Sequence, residues 1–488
     1  MSAAILIAVG LPLAGALGIA LAGRWPNLRE GVTLATAAAL FAVVVLLLCD
    51  VMAGARPAAH LINVLPGLEL GFAIEPLGML FALVASFLWL VTSIYSIGYM
   101  RANNEPYQTR FYACFALALA ATIGIAFAAN MFTLFIFYEA LTISTYPLVT
   151  HKGTAEARRS GRTYLGILLG TSIVFLLFAI IWTWSLAGTL DFREGGILEG
   201  HASQAVLGIL LVLYVFGVGK AALMPFHRWL PAAMVAPAPV SALLHAVAVV
   251  KAGVFTILKL VVYIFGLDTL SAMTGSGWLI YVAGFTIVAA SLVALRQDNL
   301  KRRLAYSTIG QLGYVVLGAG LANAYGILGG GMHIAAHAFG KITLFFCAGA
   351  IYTALRKTLV SELDGIGRTM PVTMTCFAIA ALSLIGLPPM VGAWSKWNLA
   401  LGTIEAESYL LLTALALSSL LNIAYLLPIV TRAFFASPAG AAGGGIKEAP
   451  IPCLVGLGIS ATGCIVLFFY PGLFTALLSP LVSGSAGP

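Results

Sequence analysis

Residues 217–260 read GVGKAALMPFHRWLPAAMVAPAPVSALLHAVAVVKAGVFTILKL. It sets Lys220, His245 and Lys251 in strongly apolar sequence and interrupts that sequence at Pro225. A lysine near the middle of a bilayer costs from about 3 to more than 10 kcal/mol, so such lysines almost always face a polar interior and mark routes for ions or protons. The stretch therefore predicts a membrane-spanning region that contains such a route.

The composition indicates an integral membrane protein. Hydrophobic residues make up 61% of the chain and charged residues only 9%, with a mean hydropathy of +1.03, whereas soluble domains carry about 25% charged residues. We expect residues 1–488 to form one domain within the lipid bilayer. The net charge of +8 is explained by basic residues in loops, and it does not indicate a nucleic-acid partner.

The cysteines predict neither a metal site nor a cofactor. Six cysteines stand singly in apolar runs without CxxC spacing, which is not the pattern of an iron–sulfur or zinc site. We expect the chain to perform no catalytic chemistry of its own. Any redox chemistry belongs to a partner.

Successive apolar runs predict an all-α polytopic membrane protein with about 14 transmembrane helices, because one span needs roughly 20 apolar residues. The first run lacks a basic region before it and a convincing cleavage site, so we interpret it as a span and not as a signal peptide. The predicted spans cover 3–22, 31–52, 73–99, 111–128, 131–150, 163–187, 204–235, 240–265, 277–295, 303–321, 325–355, 371–403, 408–434 and 451–478.

The loops between these spans predict the orientation. About 18 Lys and Arg residues fall in the odd-numbered loops, and the even-numbered loops hold only Arg56 and Arg193. Basic loops remain in the cytoplasm. The chain is therefore predicted to lie in the inner (plasma) membrane with both termini on the outer side.

Two predicted spans contain breaks, at LMPFHRWLPAAMVAPAP in the seventh and at LIGLPPMVGAWSK in the twelfth. Each break has a lysine within a turn or two, Lys220 or Lys396. Interrupted helices at corresponding positions of two halves are typical of internally repeated transporters. The predicted inverted five-helix repeats cover residues 111–265 and 277–434.

Charged side chains inside the spans are the candidate site residues. Glu139 is the one acid near the centre of a span, about 12 Å along the helix from Met131, and Glu75 stands at the mouth of the third span. Intramembrane ionisable residues are functional candidates by default. The lysines within spans are Lys220, Lys251, Lys259, Lys341 and Lys396.

The eleventh span contains HIAAHAFGK, which places His333, His337 and Lys341 at positions i, i+4 and i+8. On a helix this spacing aligns three titratable groups along one face. The face can conduct protons, since imidazole titrates near neutral pH. The alternative is a polar seam that only holds helices together.

Several of these residues have a structural alternative. Lys259 lies near a helix end and is expected to extend to the membrane surface. Lys220 can satisfy carbonyl groups freed at the Pro225 break, and His245 can be a hydrogen-bonded core histidine. Lys251 has no comparable alternative.

Five segments carry a family resemblance: NMFTLFIFYEALTISTYPLV, GVGKAALMPFHRWLPAAMVAPAPVSALLHAVAVVKAGVF, NLKRRLAYSTIGQLGYVVLG, HIAAHAFGKITLFFCAGAI and LIGLPPMVGAWSK. Together they resemble the proton-conducting antiporter-like subunits of respiratory complex I, membrane-bound hydrogenases and Mrp-type sodium/proton antiporters. The resemblance covers roughly residues 65–435, and the D subunit of the Mrp type or its counterparts match best.

The resemblance implies proton transfer along a buried axis, within a complex of several membrane subunits. It implies that Glu139 pairs with Lys220, that Lys251 leads to Lys341 and Lys396, and that three histidines assist: His245, His333 and His337. Sodium is a second candidate ion. The alternative function is a non-conducting scaffold that anchors a redox or inorganic-carbon-handling partner.

One position departs from the family pattern. Gly340 precedes Lys341 where the family usually has a bulky aromatic residue. Because glycine is a poor helix former, the helix is expected to be loose at this point.

Overall fold

The computed structural model describes residues 2–437 and 445–482. The terminal residues Met1 and 483–488, whose side of the membrane the sequence predicts, lie outside the described part. All bounds below refer to the described residues.

The chain is built mainly from helices, joined by short turns. In the first half they are α1 (Ser2–Leu21), α2 (Pro26–Met52), α3 (Pro76–Ala102), α4 (Gln108–Ala126), α5 (Met131–Val149), α6 (Ala155–Thr171), α7 (Leu177–Ala187), α8 (Gln204–Gly217), α9 (Trp229–Ala232), α10 (Ala238–Ala242) and α11 (Val249–Lys259). In the second half they are α12 (Leu267–Ala272), α13 (Trp278–Leu295), α14 (Leu300–Gly320), α15 (Ala324–Leu355), α16 (Ile366–Thr369), α17 (Pro371–Ile385), α18 (Gly392–Glu405), α19 (Tyr409–Phe435), α20 (Ile451–Val466) and α21 (Pro471–Leu478).

Helix starts follow local sequence chemistry. At several starts a side-chain oxygen accepts a hydrogen bond from a backbone N–H of the first turn, which satisfies a donor that the helix itself leaves open. The capping residues are Asn130, Thr154, Ser203, Asn299 and Asn323.

Wider π-helical turns join some of these helices into longer spans. Residues Ser172–Leu176 connect α6 to α7. Residues Leu243–Val247 connect α10 to α11, and Leu260–Phe265 extend α11. These junctions create two long helical stretches, Ala155–Ala187 and Ala238–Phe265.

The protein is a mostly helical polytopic membrane protein. Within the described ranges, ten helices are long and apolar enough to cross a membrane, or eleven if the α20–α21 pair, bent by 73°, counts as one span. The predicted fold class is confirmed at this level.

One β-hairpin departs from the all-α prediction. Strands β1 (Ala58–Leu65) and β2 (Leu68–Ala73) pair antiparallel. The two-residue loop between them contains Gly67 with φ +79°, a conformation that glycine adopts without steric cost. Apolar runs of membrane-spanning length do not reveal such a hairpin, because its strands are only eight and six residues long.

Both predicted helix breaks are present. After α8 ends, a three-residue turn, Gly219–Ala221, carries Lys220, and helical structure resumes only at α9. The second break separates α17 from α18. Lys396 lies in the first turn and a half of α18.

Two spans lie inside the bundle and are enclosed by other helices. The most apolar 18-residue windows of Ala238–Phe265 and Ala324–Leu355 are completely buried. At Gly253, α11 approaches the broken segment so closely that a Cβ atom would lie 2.3 Å from the Ala221 backbone nitrogen. These two spans carry most of the predicted site residues, so the bundle places those side chains at its centre.

Candidate functional site

Lys251 and His337 meet where the two enclosed spans contact each other. Lys251 Nζ lies 2.5 Å from His337 Nδ1, and both side chains are fully buried. The contact joins α11 to α15, which are 86 residues apart in sequence. The resemblance implies only that His337 assists the lysines, and the structure places it directly beside Lys251.

His333 continues this contact toward the second helix break. Its Nδ1 lies 2.9 Å from Ser395 Oγ and its Nε2 lies 3.1 Å from Gln311 Oε1. The His333 and His337 rings are stacked, with centroids 5.9 Å apart. His333 therefore has polar partners at both ring nitrogens, whereas among the described residues His337 has one only at Nδ1.

Lys396 follows Ser395 and lies at the end of this sequence of contacts. Its ammonium donates to the Ile385 carbonyl at 3.0 Å and to Ser419 Oγ at 3.2 Å. It also lies 5.0 Å from the centre of the Tyr314 ring, which stacks on His333 from the other side. We call Lys251, His337, His333, Ser395 and Lys396 the central row.

The end of the central row borders a cavity of about 690 Å³ between the second break and α19. Apart from Lys396 and Ser419, the cavity is lined by apolar residues, and Trp397 and Leu420 are exposed there. Lys396 is accordingly half-buried, in contrast to the fully buried Lys251. The row thus reaches from the core to the side of the bundle.

Lys341 branches from the row one helical turn beyond His337. It donates to Ser307 Oγ at 2.6 Å and to the Leu304 carbonyl at 3.2 Å, both on α14. Ser307 also accepts a hydrogen bond from the Tyr425 hydroxyl at 2.7 Å. The predicted face of α15 is present, and all three of its titratable groups are buried.

Lys220 does not form the ion pair with Glu139 that the resemblance implies. Its ammonium donates to the Tyr138 carbonyl at 2.8 Å and to Thr142 Oγ1 at 2.6 Å. These acceptors are four residues apart and share one face of α5, whereas Glu139 is turned about 100° away from Tyr138. Both bonds go to α5, so Lys220 does not satisfy the carbonyl groups of its own break either.

Glu139 is the unpartnered acid of the site. Both of its carboxylate oxygens are buried, and neither makes a hydrogen bond to any described residue. Its charge still acts on Lys220 through space. A buried carboxylate without a hydrogen bond is costly, which sets Glu139 apart from the ion-paired Glu75.

His245 is also buried without a hydrogen-bond partner among the residues described, at either ring nitrogen. Its ring packs against Phe345, with centroids 4.7 Å apart. The alternative of a hydrogen-bonded core histidine is therefore wrong. Its assignment as a relay stays a prediction.

Lys259 does not extend to the membrane surface as expected. It is fully buried, forms an ion pair with Glu75, and donates to the Ala128 carbonyl at 2.8 Å. It also lies 3.9 Å from the centre of the Phe192 ring. Glu75, directly before α3, provides a carboxylate beside the Lys259 ammonium. The lysine therefore does not need to extend to water to stabilise its charge.

Gly340 does not loosen its helix, so that expectation is also wrong. Helix α15 is continuous from Ala324 to Leu355. A Cβ atom at Gly340 would lie 3.0 Å from Leu384 Cδ2. The glycine thus allows α17 to pack closely beside Lys341.

Several polar neighbours of the site were not identified from the sequence. Gln311 was the only one with a visible signal, as a polar amide within an apolar helix. The others are common residues whose contacts depend on tertiary packing: Tyr138, Thr142, Ser307, Tyr314, Ser395 and Ser419.

Neutral groups surround the lysines of the site. Within the described part of the chain, no carboxylate lies within ion-pair distance of Lys220, Lys251, Lys341 or Lys396, whereas Lys259 has Glu75. An amine held by neutral acceptors can exchange its proton without breaking an ion pair. Chemically, the central row is suited to carrying protons and contains no arrangement for nucleophilic catalysis.

The family comparison agrees with this geometry. The model described as NADH:quinone oxidoreductase/Mrp antiporter, transmembrane, matches residues 128–422. The model for the N-terminus of complex I chain 5 matches residues 66–112. The chain belongs to the NADH:quinone oxidoreductase/Mrp antiporter family.

Individual members of this family are similar over most of the chain. NADH-quinone oxidoreductase subunit N of Desulforudis audaxviator is 34% identical over 83% of this chain and 81% of its own length. NAD(P)H-quinone oxidoreductase chain 5 of Synechocystis sp. is 32% identical, and the match covers 67% of this chain but only 49% of that longer protein.

Solved structures of the family share the fold. A chain of the membrane-bound sulfane sulfur reductase, an archaeal respiratory membrane complex, matches with a TM-score of 0.87 at 25% identity, over 99% of each chain. A chain of the Mrp complex from Dietzia sp. matches with a TM-score of 0.84 at 20% identity, over 98% of each. The second likeness concerns the fold alone.

Proposed function

We propose that this chain is a proton-translocating membrane subunit of a multi-subunit complex. The observation that carries the proposal is the central row, in which the Lys251–His337 and His333–Ser395 contacts adjoin through the two stacked imidazoles, with Lys396 next to Ser395. All of its members are proton donors or acceptors in an otherwise apolar bundle. Family membership supports the same function, because the matching family model is that of NADH:quinone oxidoreductases and Mrp antiporters, and a similar chain belongs to an archaeal respiratory membrane complex.

In this proposal, protons load the lysine and histidine groups at the centre and leave near Lys396. Glu139 and Lys220 form the acid end of the path. Lys341 and His245 are further carriers beside the row. Water fills the gaps between groups that do not touch, since ordered water can bridge buried polar groups.

A substitution in the middle of the row tests the function. His333→Gln keeps a hydrogen-bonding side chain but cannot accept and release a proton. We expect proton uptake by proteoliposomes that contain the assembled complex to fall at least about a hundredfold, which is the lower end of the effect of removing a proton-transfer group. Transport at the wild-type rate would contradict the proposal and would favour a non-conducting scaffold.

The matched control for this substitution is His201→Gln. His201 is exposed and lies outside the row. Its replacement should leave proton uptake unchanged. Equal losses of proton uptake in the two variants would mean that the effect of His333→Gln does not depend on the position of His333 in the central row.

The proposal includes the full topology. It comprises 14 spans, of which the seventh and twelfth are broken, and two inverted repeats at residues 111–265 and 277–434. The basic loops face the cytoplasm and both termini face the outside of the inner membrane. The interruption of the helix at both breaks supports the two broken spans. The concentration of basic residues in one set of loops supports the orientation.

Cysteine labelling in intact cells tests this orientation. Lys152→Cys and Arg296→Cys place thiols in two exposed cytoplasmic loops of the proposed topology. Cys49 is exposed and must be replaced first. A membrane-impermeant reagent should label the introduced thiols only after the cells are opened, and labelling of intact cells would reverse the orientation.

A further inference from the structure

A second charged cavity lies outside the central row, where α6 and α14 begin and the segment after the first break ends. Its volume is about 520 Å³, and its lining includes Arg159, Arg228 and Arg302. Glu156 is the one acid that lines it. In the part of the chain that the structure describes, none of these three arginines lies within ion-pair distance of a carboxylate.

A neighbouring cavity of about 170 Å³ adds three lysines: Lys152, Lys301 and Lys357. Lys301 Nζ donates to the Ala236 carbonyl at 2.5 Å, and Lys357 Nζ donates to the Glu362 carbonyl at 2.7 Å. Glu105 lies near Lys152 and Lys301, and Glu362 and Asp364 lie near Lys357, but among the described residues no carboxylate is within ion-pair distance of these three lysines. The two cavities share lining residues, so they form one strongly basic region.

The broken segment leads from this region along the side of the bundle. Pro225 is exposed, and Phe226 packs against Phe175, with ring centroids 6.1 Å apart. His227 contacts the Tyr306 ring at the rim of the arginine cavity, with centroids 6.3 Å apart. An apolar surface with unwound backbone thus begins directly beside the three arginines.

We propose that the arginine cavity binds the phosphate of an anionic phospholipid, whose acyl chain covers the break at Pro225. Arginine presents a planar fork of donors that matches phosphate oxygens. Basic pockets between transmembrane helices at the cytoplasmic surface bind such head groups. An acyl chain on the exposed segment would also shield backbone that would otherwise face hydrocarbon.

Lipid binding to the delipidated, assembled complex tests the site and does not depend on the proposed transport function. Native mass spectrometry after addition of phosphatidylglycerol should show one tightly retained lipid on the wild-type complex. The variant Arg159→Gln/Arg302→Gln should bind this lipid about thirtyfold more weakly, since each basic residue contributes about a factor of five to anionic lipid binding. Phosphatidylcholine should not replace phosphatidylglycerol.

The matched control is Arg162→Gln, which removes an exposed arginine of the same helix that does not line the cavity. It should bind phosphatidylglycerol like the wild type. If Arg162→Gln weakened phosphatidylglycerol binding as much as the double variant, lipid binding would depend on general surface charge, and the proposed site would be wrong.

Two further outcomes would also overturn the proposal. In the first, inorganic phosphate at millimolar concentration displaces the lipid and stays bound to the complex. The cavity would then be a binding site for free phosphate. Loss of another subunit from the Arg159→Gln/Arg302→Gln complex, with lipid binding unchanged, would assign the arginines to an acidic segment of a protein partner.

Discussion

Lys251 and Lys259 lie on the same helix, eight residues or about 12 Å apart, and both are completely buried. Lys259 forms an ion pair with Glu75, donates to the Ala128 carbonyl and lies over the Phe192 ring. Among the described residues, the one hydrogen-bonding partner of the Lys251 amine is the imidazole of His337. The two lysines therefore have the same burial but opposite electrostatic surroundings.

The difference shows that burial alone does not identify a proton carrier. An ion pair in a low-dielectric interior holds the charge on both partners, because the loss of either one leaves the other uncompensated. A lysine beside an imidazole can instead share or pass its proton. We infer that Lys251 carries protons and that Lys259 is a fixed cation that attaches α11 to the start of α3.

Arginine substitutions should separate the two lysines most strongly. Lys251→Arg should abolish proton uptake by the assembled complex, since a guanidinium does not release its proton near neutral pH. Lys259→Arg should retain at least about half of the uptake, because a carboxylate accepts arginine as well as lysine. The measurement is proton uptake by proteoliposomes, and substantial uptake with Lys251→Arg would remove the distinction between the lysines.

The acids Glu139 and Glu75 should show the same contrast. Glu139→Gln should abolish proton uptake and leave the complex assembled, because it removes an unpartnered carboxylate and preserves side-chain size. The thermal midpoint of the purified complex should stay the same within error. Wild-type uptake by an assembled Glu139→Gln complex would exclude Glu139 from the path.

Glu75→Gln should reduce stability more than transport. It leaves the Lys259 ammonium buried without a carboxylate, which costs about 3–5 kcal/mol. We expect a lower thermal midpoint and near-normal uptake per assembled complex. Adding Lys259→Met should restore the midpoint, because it removes the uncompensated charge, and failure of this rescue would mean that the pair has a role beyond stability.

The smallest expected change in proton uptake comes from adding a second substitution on the proposed proton path. Lys251→Ala and Lys341→Ala should each stop transport, and the double variant should be no worse than either single variant, because residues that act as one unit are not additive. The comparison between single and double variants depends on very small rates of proton uptake, so it requires a sensitive fluorescent pH probe. Partial losses that multiply in the double variant would indicate two separate paths.

The sequence points to buried polar residues most clearly where a residue type is unfavourable in its surroundings. Lys251, Lys341 and the two histidines of α15 were identifiable because charge and imidazole are costly in long apolar helices. Pro225 and the LPP sequence identified both breaks. The expectation for Lys259 was wrong, because the environments considered for its ammonium were only water and lipid. The structure provides a third environment, the carboxylate of Glu75, which lies 184 residues earlier in the chain.

The membrane setting, the interrupted helices and the set of titratable side chains follow from the amino-acid sequence, because they depend on composition and on local backbone preferences. Which of these groups touch depends on the packing of the folded bundle. The contact of Lys251 with His337, the turn of Glu139 away from Lys220, and the burial of Lys259 all depend on how distant helices pack. Packing brings together side chains more than 80 residues apart, and neither helical periodicity nor hydropathy contains that information.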